Sequence, residues 1–191
     1  MQWEDRSNAN QRHWFLSPSK HSWLTCDDDK LISNYEGEMR KIRGTELHAW
    51  AAWTIELGLT QSKSKQTLYM YVNDAIKYNM SVEQTLIYDP KYAGGTADAI
   101  TLDGNLLRIH DLKTGETPAS MDQLLCYAAL FCLSRNWDPY QLMYELRIYQ
   151  SDQIVIYKPT PDEVAEKMDR YIHCCQVLHQ HFDNEQWALE A

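Results

Sequence analysis

Two short apolar stretches of the chain each run into a carboxylate. Side chains alternate along a strand, so in "TADAITL" Thr96, Asp98, Ile100 and Leu102 share one face. In "LLRIHDLKTG" the same alternation groups Leu107, Ile109, Asp111 and Lys113. Asp103-Gly104 between them is a hairpin signal, and antiparallel pairing across it brings Asp98 and Asp111 towards one end of a sheet. Two carboxylates on a half-buried face repel each other, and burying them costs several kcal/mol unless something compensates. A lysine compensates one of them. A divalent cation compensates both and leaves Lys113 free. Hard oxygen ligands point to Mg²⁺ or Mn²⁺ over Zn²⁺. The simpler alternative is an ion pair of Asp111 with Lys113, with Asp98 capping a turn. Further on, Gln123 and Tyr127 stand at i and i+4 of a helical pattern and share a face. Either that face borders the same site, or Leu124, Leu125 and Tyr127 pack on the sheet and Gln123 is merely solvated.

The elements that must hold these residues follow from pattern and punctuation. "LSPSKHSWLTC" opens with a helix start, Ser17 as N-cap and Pro18 at the first helical position. "MRKIRGTELHAWAAWTIELG" reads as a helix of four or five turns ending at Gly58, and "SKQTLYMYVNDAIKY" as another, with Leu68, Val72, Ala75 and Ile76 on one face. "VEQTLIYD", "GGTADAITL" and "NLLRIHDLKTG" read as strands, the first two separated by Pro90 and Gly94-Gly95. "ASMDQLLCYAALFCLSRN" returns to helix. "QLMYELRIYQ" and "QIVIYKPT" are strands joined at Ser151-Asp152, and a closing helix follows Thr160 as N-cap with Pro161 in its first turn. The order α-α-α-β-β-β-α-β-β-α predicts an α/β fold, a mixed central sheet flanked by helices. We expect one domain over 1–191, with a core of about 16–160 and a C-terminal helix of about 161–183.

Composition narrows the classes. With 191 residues, 44% hydrophobic and 24% charged, the chain resembles an ordinary globular protein. No apolar run reaches the roughly 18 residues of a membrane span, and the N-terminus lacks the pattern of a signal peptide, so a cytoplasmic location is expected. The net charge of −9 argues mildly against a pure DNA-binding module, yet permits an enzyme with a local basic groove. Five cysteines without a secreted spacing suggest free thiols. Cys175 and His179 lie one helical turn apart, a metal-ligand spacing, although free cysteines more often fill helix–core contacts.

"GGTADAI", "IHDLKTG" and "QLLCY", in that order, resemble the RecB-like branch of the PD-(D/E)XK nucleases, whose core is restriction-endonuclease-like. "RGTELHAW" is similar to that family's Gly-Thr-x-x-His element, and "LSPSKHSWLTC" to the Ser-Pro-Ser start of RecB-like, AddB-like and related phage nuclease domains. The resemblance runs from about Leu16 to about Leu133. Ala97-Asp98 stands where Pro-Asp is usual, a change the RecB-like branch tolerates, and the first helix carries a histidine in place of a glutamate, as in RecB-like members and unlike lambda exonuclease. Some relatives hold an iron–sulfur cluster with one early and three late cysteines. Here Cys26 is well placed but only the adjacent Cys174-Cys175 lies late, so no cluster is expected.

The resemblance implies a Mg²⁺- or Mn²⁺-dependent deoxyribonuclease, an exonuclease of phage DNA recombination or repair located in the host cytoplasm. It implies that His48, Asp98, Asp111 and the main-chain carbonyl of Leu112 hold the metal, and that Lys113 orients or deprotonates the attacking water. Gln123 would contact the DNA backbone or the water shell, with Tyr127 supporting it. Glu46 and Glu56 share the His48 helix, Glu46 facing elsewhere and Glu56 placed for an outer-shell role. Arg40, Lys41, Arg43, Lys63 and Lys65 are candidate DNA contacts, as are Ser17 and Ser19, against the plainer reading of a solvated face and an N-cap. An endonuclease of the same fold, or a catalytically silent DNA-binding or assembly protein on the same scaffold, are the alternatives. A homo-oligomer, such as the toroidal trimer of lambda exonuclease, and a single-strand annealing or recombination protein as partner are compatible with the pattern.

Overall fold

Turn chemistry sets the register of the sheet. In the computed structural model, which describes residues 14–115 and 117–182, strands β2 (Ala93–Asp103) and β3 (Leu106–Leu112) are joined across Gly104 and Asn105. Gly104 has φ +60°, a left-handed value that glycine adopts at little cost at the first position of a two-residue hairpin loop. Strands β4 (Met143–Gln150) and β5 (Gln153–Tyr157) are joined by Ser151 and Asp152, both at positive φ, as a type I′ turn demands. Neither residue is a glycine, but Asp152 is held in place: its Oδ1 accepts the Thr67 N–H at 2.8 Å and the Thr67 hydroxyl at 3.0 Å.

With β1 (Ser81–Asp89) the sheet has five strands in the order β1-β2-β3-β4-β5. All neighbours are antiparallel except β3 and β4, which run parallel and are linked through helix α3 (Asp122–Arg135), as a parallel pair requires. Alternation sends side chains to two faces. Leu107, Ile109, Leu146 and Ile148 pack with Leu124 and Ala128 of α3 and with Val164 and Cys175 of α4 (Pro161–Phe182). Leu112 and Tyr149, on the opposite face, pack with Ala51 and Ile55 of α1 (Asp28–Glu56) and with Tyr71, Val72 and Ala75 of α2 (Thr67–Lys77). The mixed sheet flanked by helices is the architecture the sequence pattern predicts.

Three local findings sharpen that reading. Helix α1 begins at Asp28, well before the expected start at Met39. The poor helix formers Asn34 and Gly37 hide the early turns, whereas Asp27 Oδ1 caps them by accepting the Lys30 N–H at 2.7 Å. The Ser17-Pro18 start opens a 3₁₀ helix, Pro18–Thr25, and Ser17 makes no side-chain cap: its Oγ meets Ser19 Oγ at 2.8 Å. The start of α4 is a full capping box, the Thr160 N–H donating to Glu163 Oε2 at 2.8 Å and the Glu163 N–H to Thr160 Oγ1 at 3.3 Å. The chain divides after Arg43, within the span of α1, into two compact units, and the sheet lies wholly in the second. No helix among the described residues is long and apolar enough to cross a membrane.

Candidate metal centre

The β2/β3 ladder runs from Asp103↔Leu106 to Ala99↔His110 and stops. Continued by one step, it would set Asp98 opposite Asp111. Instead the Asp98 side chain replaces the ladder, its Oδ2 accepting the Leu112 N–H at 2.9 Å. In an extended strand the N–H and C=O of one residue leave on the same side, so the Leu112 carbonyl also faces the β2 side. His48, from α1, places Nδ1 3.5 Å from the same Asp98 oxygen. The approach of α1 explains the Gly-Thr-x-x-His spacing physically. A Cβ on Gly44 would stand 2.9 Å from Thr114 Oγ1, so a larger residue there would have to displace the Thr114 side chain beside Lys113.

Asp111 is 3% exposed. Its Oδ1 accepts Lys113 Nζ at 3.0 Å, whereas its Oδ2 is enclosed and meets no donor. Lys113 Nζ also donates to Gln123 Oε1 at 2.9 Å, and the Lys113 backbone N–H extends the β3/β4 ladder by donating to Tyr149 O at 2.9 Å. The simple ion pair and the ligand-seeking carboxylate therefore coexist on one residue: Asp111 spends one oxygen on Lys113 and keeps the other. The sequence reading missed the group that steadies this arrangement. Gln150, at the end of β4, donates from Nε2 to the carbonyls of Gly115 and Thr117 at 2.6 and 2.8 Å, and its Oε1 accepts the Ala119 N–H at 3.2 Å. That clamp holds the connection between Lys113 and α3, and hence the reach of Lys113 to Gln123.

Tyr127 is not brought to the carboxylates in the same way. Its ring packs on Gly95 of β2, where a Cβ would stand 3.0 Å from Cε1, and it borders the core formed with α3 and α4. Its service to the site is to seat the strand that carries Asp98. Glu83 of β1, also missed, does belong with the cluster. Val82↔Ala99 and Gln84↔Ala97 bracket it, so it stands at the register position opposite Asp98. Ligand atoms of His48, Glu83 and Asp98 all lie within 4.8 Å of one another. Among the described residues no other group of three or more His, Cys, Asp or Glu side chains is gathered closely enough to hold one ion.

The electrostatics of the cluster are unfavourable as it stands. Burial, with the charge of Asp111 next in weight and that of Glu83 adding less, raises the Asp98 carboxyl to about 6; the Leu112 N–H and His48 oppose the rise. The buried Tyr71 hydroxyl beneath is pushed up by its burial and then by the charges of Asp98, Glu83 and Asp111. The Glu83 and Asp98 carboxylates and the His48 imidazole form a donor set of a kind that suits a hard divalent cation such as Mg²⁺ or Mn²⁺; Asp111 is not gathered within the same 4.8 Å.

Arg40 and Lys41 pair along their own helix with Glu36 and Glu38 at 3.6 and 3.9 Å. Arg43, Lys63, Lys65, Glu46 and Glu56 are exposed. His179 Nε2 meets Asp89 Oδ2 at 2.5 Å and Cys175 is buried in the core, and among the described residues the helical pair is not part of a group of three ligands. Compared with family models, with curated proteins and with solved structures, the chain matches none.

Proposed function

We propose that the chain is a divalent-metal-dependent deoxyribonuclease of the RecB-like PD-(D/E)XK type, hydrolysing phosphodiester bonds as an exonuclease in phage DNA recombination or repair. The observation that carries the reading is the buried, donorless Oδ2 of Asp111, set beside Asp98 at the open end of a ladder with Lys113 in contact. A purely structural ion pair has no use for an unsatisfied oxygen, which costs about 1–3 kcal/mol or more when charged. A Mg²⁺ or Mn²⁺ ion held by His48, Asp98, Asp111 and the Leu112 carbonyl would supply Lewis-acid polarisation of a phosphate oxygen and a more acidic water.

The chain's own groups account for the rest. Lys113 Nζ has three N–H donors. Asp111 and Gln123 take two, and the third has no acceptor among the described residues. That N–H is available to the attacking water or to an oxygen of the scissile phosphate, where charge develops in the transition state. Gln123 fixes the direction of the ammonium, and the Gln150 clamp fixes the backbone that supports it. The net charge of −9 makes local neutralisation of these carboxylates a condition for approach by a polyanion.

The test is digestion of end-labelled linear duplex with Mg²⁺ by wild type and by Lys113→Ala. Loss of one such donor lowers the rate by about 10²–10³-fold. Equal cleavage by the variant, or no cleavage by folded wild type on duplex, single-stranded and flap substrates, refutes the reading. A closed circular substrate separates exonuclease from endonuclease, and Mn²⁺ titration separates either from a silent scaffold.

A further inference from the structure

Among the described residues, Glu83 is the one member of the cluster with no part in the sequence pattern, and its backbone is unusual. It has φ 49° near the start of an edge strand, and the β1/β2 ladder skips it between Val82↔Ala99 and Gln84↔Ala97. A regular strand would keep the pairing with Asp98 and cost nothing; a non-glycine residue in the left-handed region costs about 1 kcal/mol or more. What the departure achieves is proximity: a Glu83 oxygen lies within 4.8 Å of ligand atoms of both His48 and Asp98. No lysine or arginine among the described residues forms an ion pair with Glu83 or Asp98, and Lys113 is committed to Asp111 and Gln123. Three carboxylates against one ammonium leave a twofold negative excess, which one divalent cation cancels. Asp111, whose charge acts on Asp98, keeps an enclosed Oδ2 with no donor, a separate sign that the cluster awaits a cation.

We propose that Glu83 is a ligand of the divalent cation at this centre, so that the ligand set extends onto β1 and is wider than the His48, Asp98, Asp111 and Leu112 set. This rests on the reading of the cluster as a metal centre. Because Glu83 is exposed and on the edge strand, Glu83→Gln keeps its shape and leaves folding intact. The experiment is calorimetric titration of Mn²⁺ into folded wild type, Glu83→Gln and, as a control from the His48 helix, Glu46→Gln. The expected result is Mn²⁺ binding weakened at least about tenfold by Glu83→Gln, a loss typical even of groups that only orient a ligand. Glu46→Gln should match wild type. If wild type binds Mn²⁺ and Glu83→Gln binds it equally well, the assignment of Glu83 is overturned and the metal centre stands. If wild type binds no Mn²⁺, the metal centre falls and Glu83 with it.

Discussion

Replacing Asp98 with asparagine should stabilise the metal-free protein. The carboxyl is raised from 3.8 to about 6 by burial and by the neighbouring charges of Asp111 and Glu83. One pKa unit corresponds to about 1.4 kcal/mol, so the ionised folded state carries a deficit of about 3 kcal/mol. The sign follows from proton counts. Between pH 4 and 6 the folded state holds the Asp98 proton and the unfolded chain has released it. Stability therefore falls as pH rises through that window, and the full deficit is present above it. Asparagine has the same shape and its carbonyl can still accept the Leu112 N–H, but it carries no charge. For a chain of this size about 3 kcal/mol corresponds to a Tm shift of about 6–12 °C. Thermal unfolding in EDTA should show Asp98→Asn melting above wild type at pH 8, with the gap closing towards pH 4. Adding Mg²⁺ should then raise wild type and leave Asp98→Asn unmoved, since a ligand at a hundred times its Kd contributes about 2.7 kcal/mol. A variant that melts at or below wild type at pH 8, or a gap that does not depend on pH, refutes the reasoning.

Two further perturbations test the scaffold. Gly95→Ala places a Cβ 3.0 Å from Tyr127 Cε1; such overpacking costs about 1–3 kcal/mol, read as a lower denaturant midpoint at unchanged m-value, and an unchanged midpoint would show that Tyr127 does not seat β2. His110 is fully buried and its imidazole is lowered to about 3 by burial and by Arg147 and Arg108, so the stability it permits is complete above about pH 6.5 and is lost as pH falls towards 3. His110→Gln should flatten the acid limb of a stability-versus-pH curve, and an acid limb as steep as wild type would place its cause elsewhere.

How far the site was legible in the sequence depends on which residues obey the strand period. Asp98, Asp111 and Lys113 could be placed because alternation and a two-residue turn are local rules, and the observed register brings the two aspartates to the end of one ladder. Glu83 could not be placed by those rules. Beside buried Val82 it reads as an ordinary exposed strand residue, and its approach to His48 depends on a positive φ that alternation does not foresee. Tyr127 was read with Gln123 because they share a helix face, and its ring packs on the bare backbone of Gly95 at the border of the core. The length of α1 was hidden by its weak middle, where Asn34 and Gly37 lower propensity and the Asp27 cap supplies the missing start.

The two faces of β3 show why the carboxylate cluster reads as a place for a ligand. His110 and Asp111 are adjacent, both buried, and both bring polar atoms into the interior. Around His110 the chain balances its charges internally, although His110 Nε2, like Asp111 Oδ2, is buried without a partner. Arg147 donates to Asp74 at 2.8 Å and to Glu145 at 2.9 Å, Arg108 donates to Glu145 at 3.2 Å, and both guanidiniums lie over the Tyr78 ring. Tyr149 gives its proton to Asp74 at 2.7 Å, so its contact with His110 Nδ1 at 3.3 Å must take the imidazole as donor, which fixes the neutral tautomer. Three carboxylates there, of Asp74, Asp103 and Glu145, meet three cations, of Arg108, Arg147 and Lys158. Around Asp111, the one ammonium meets the carboxylate of Asp111 alone, no lysine or arginine among the described residues pairs with Asp98 or Glu83, and Asp111 Oδ2 is enclosed without a donor. Among the described residues, arginine neutralises the buried acids one residue away and none does so here, which leaves a charge deficit of the kind a bound cation would fill. Asp98→Asn asks whether that deficit is real, and the Mn²⁺ titration asks what fills it.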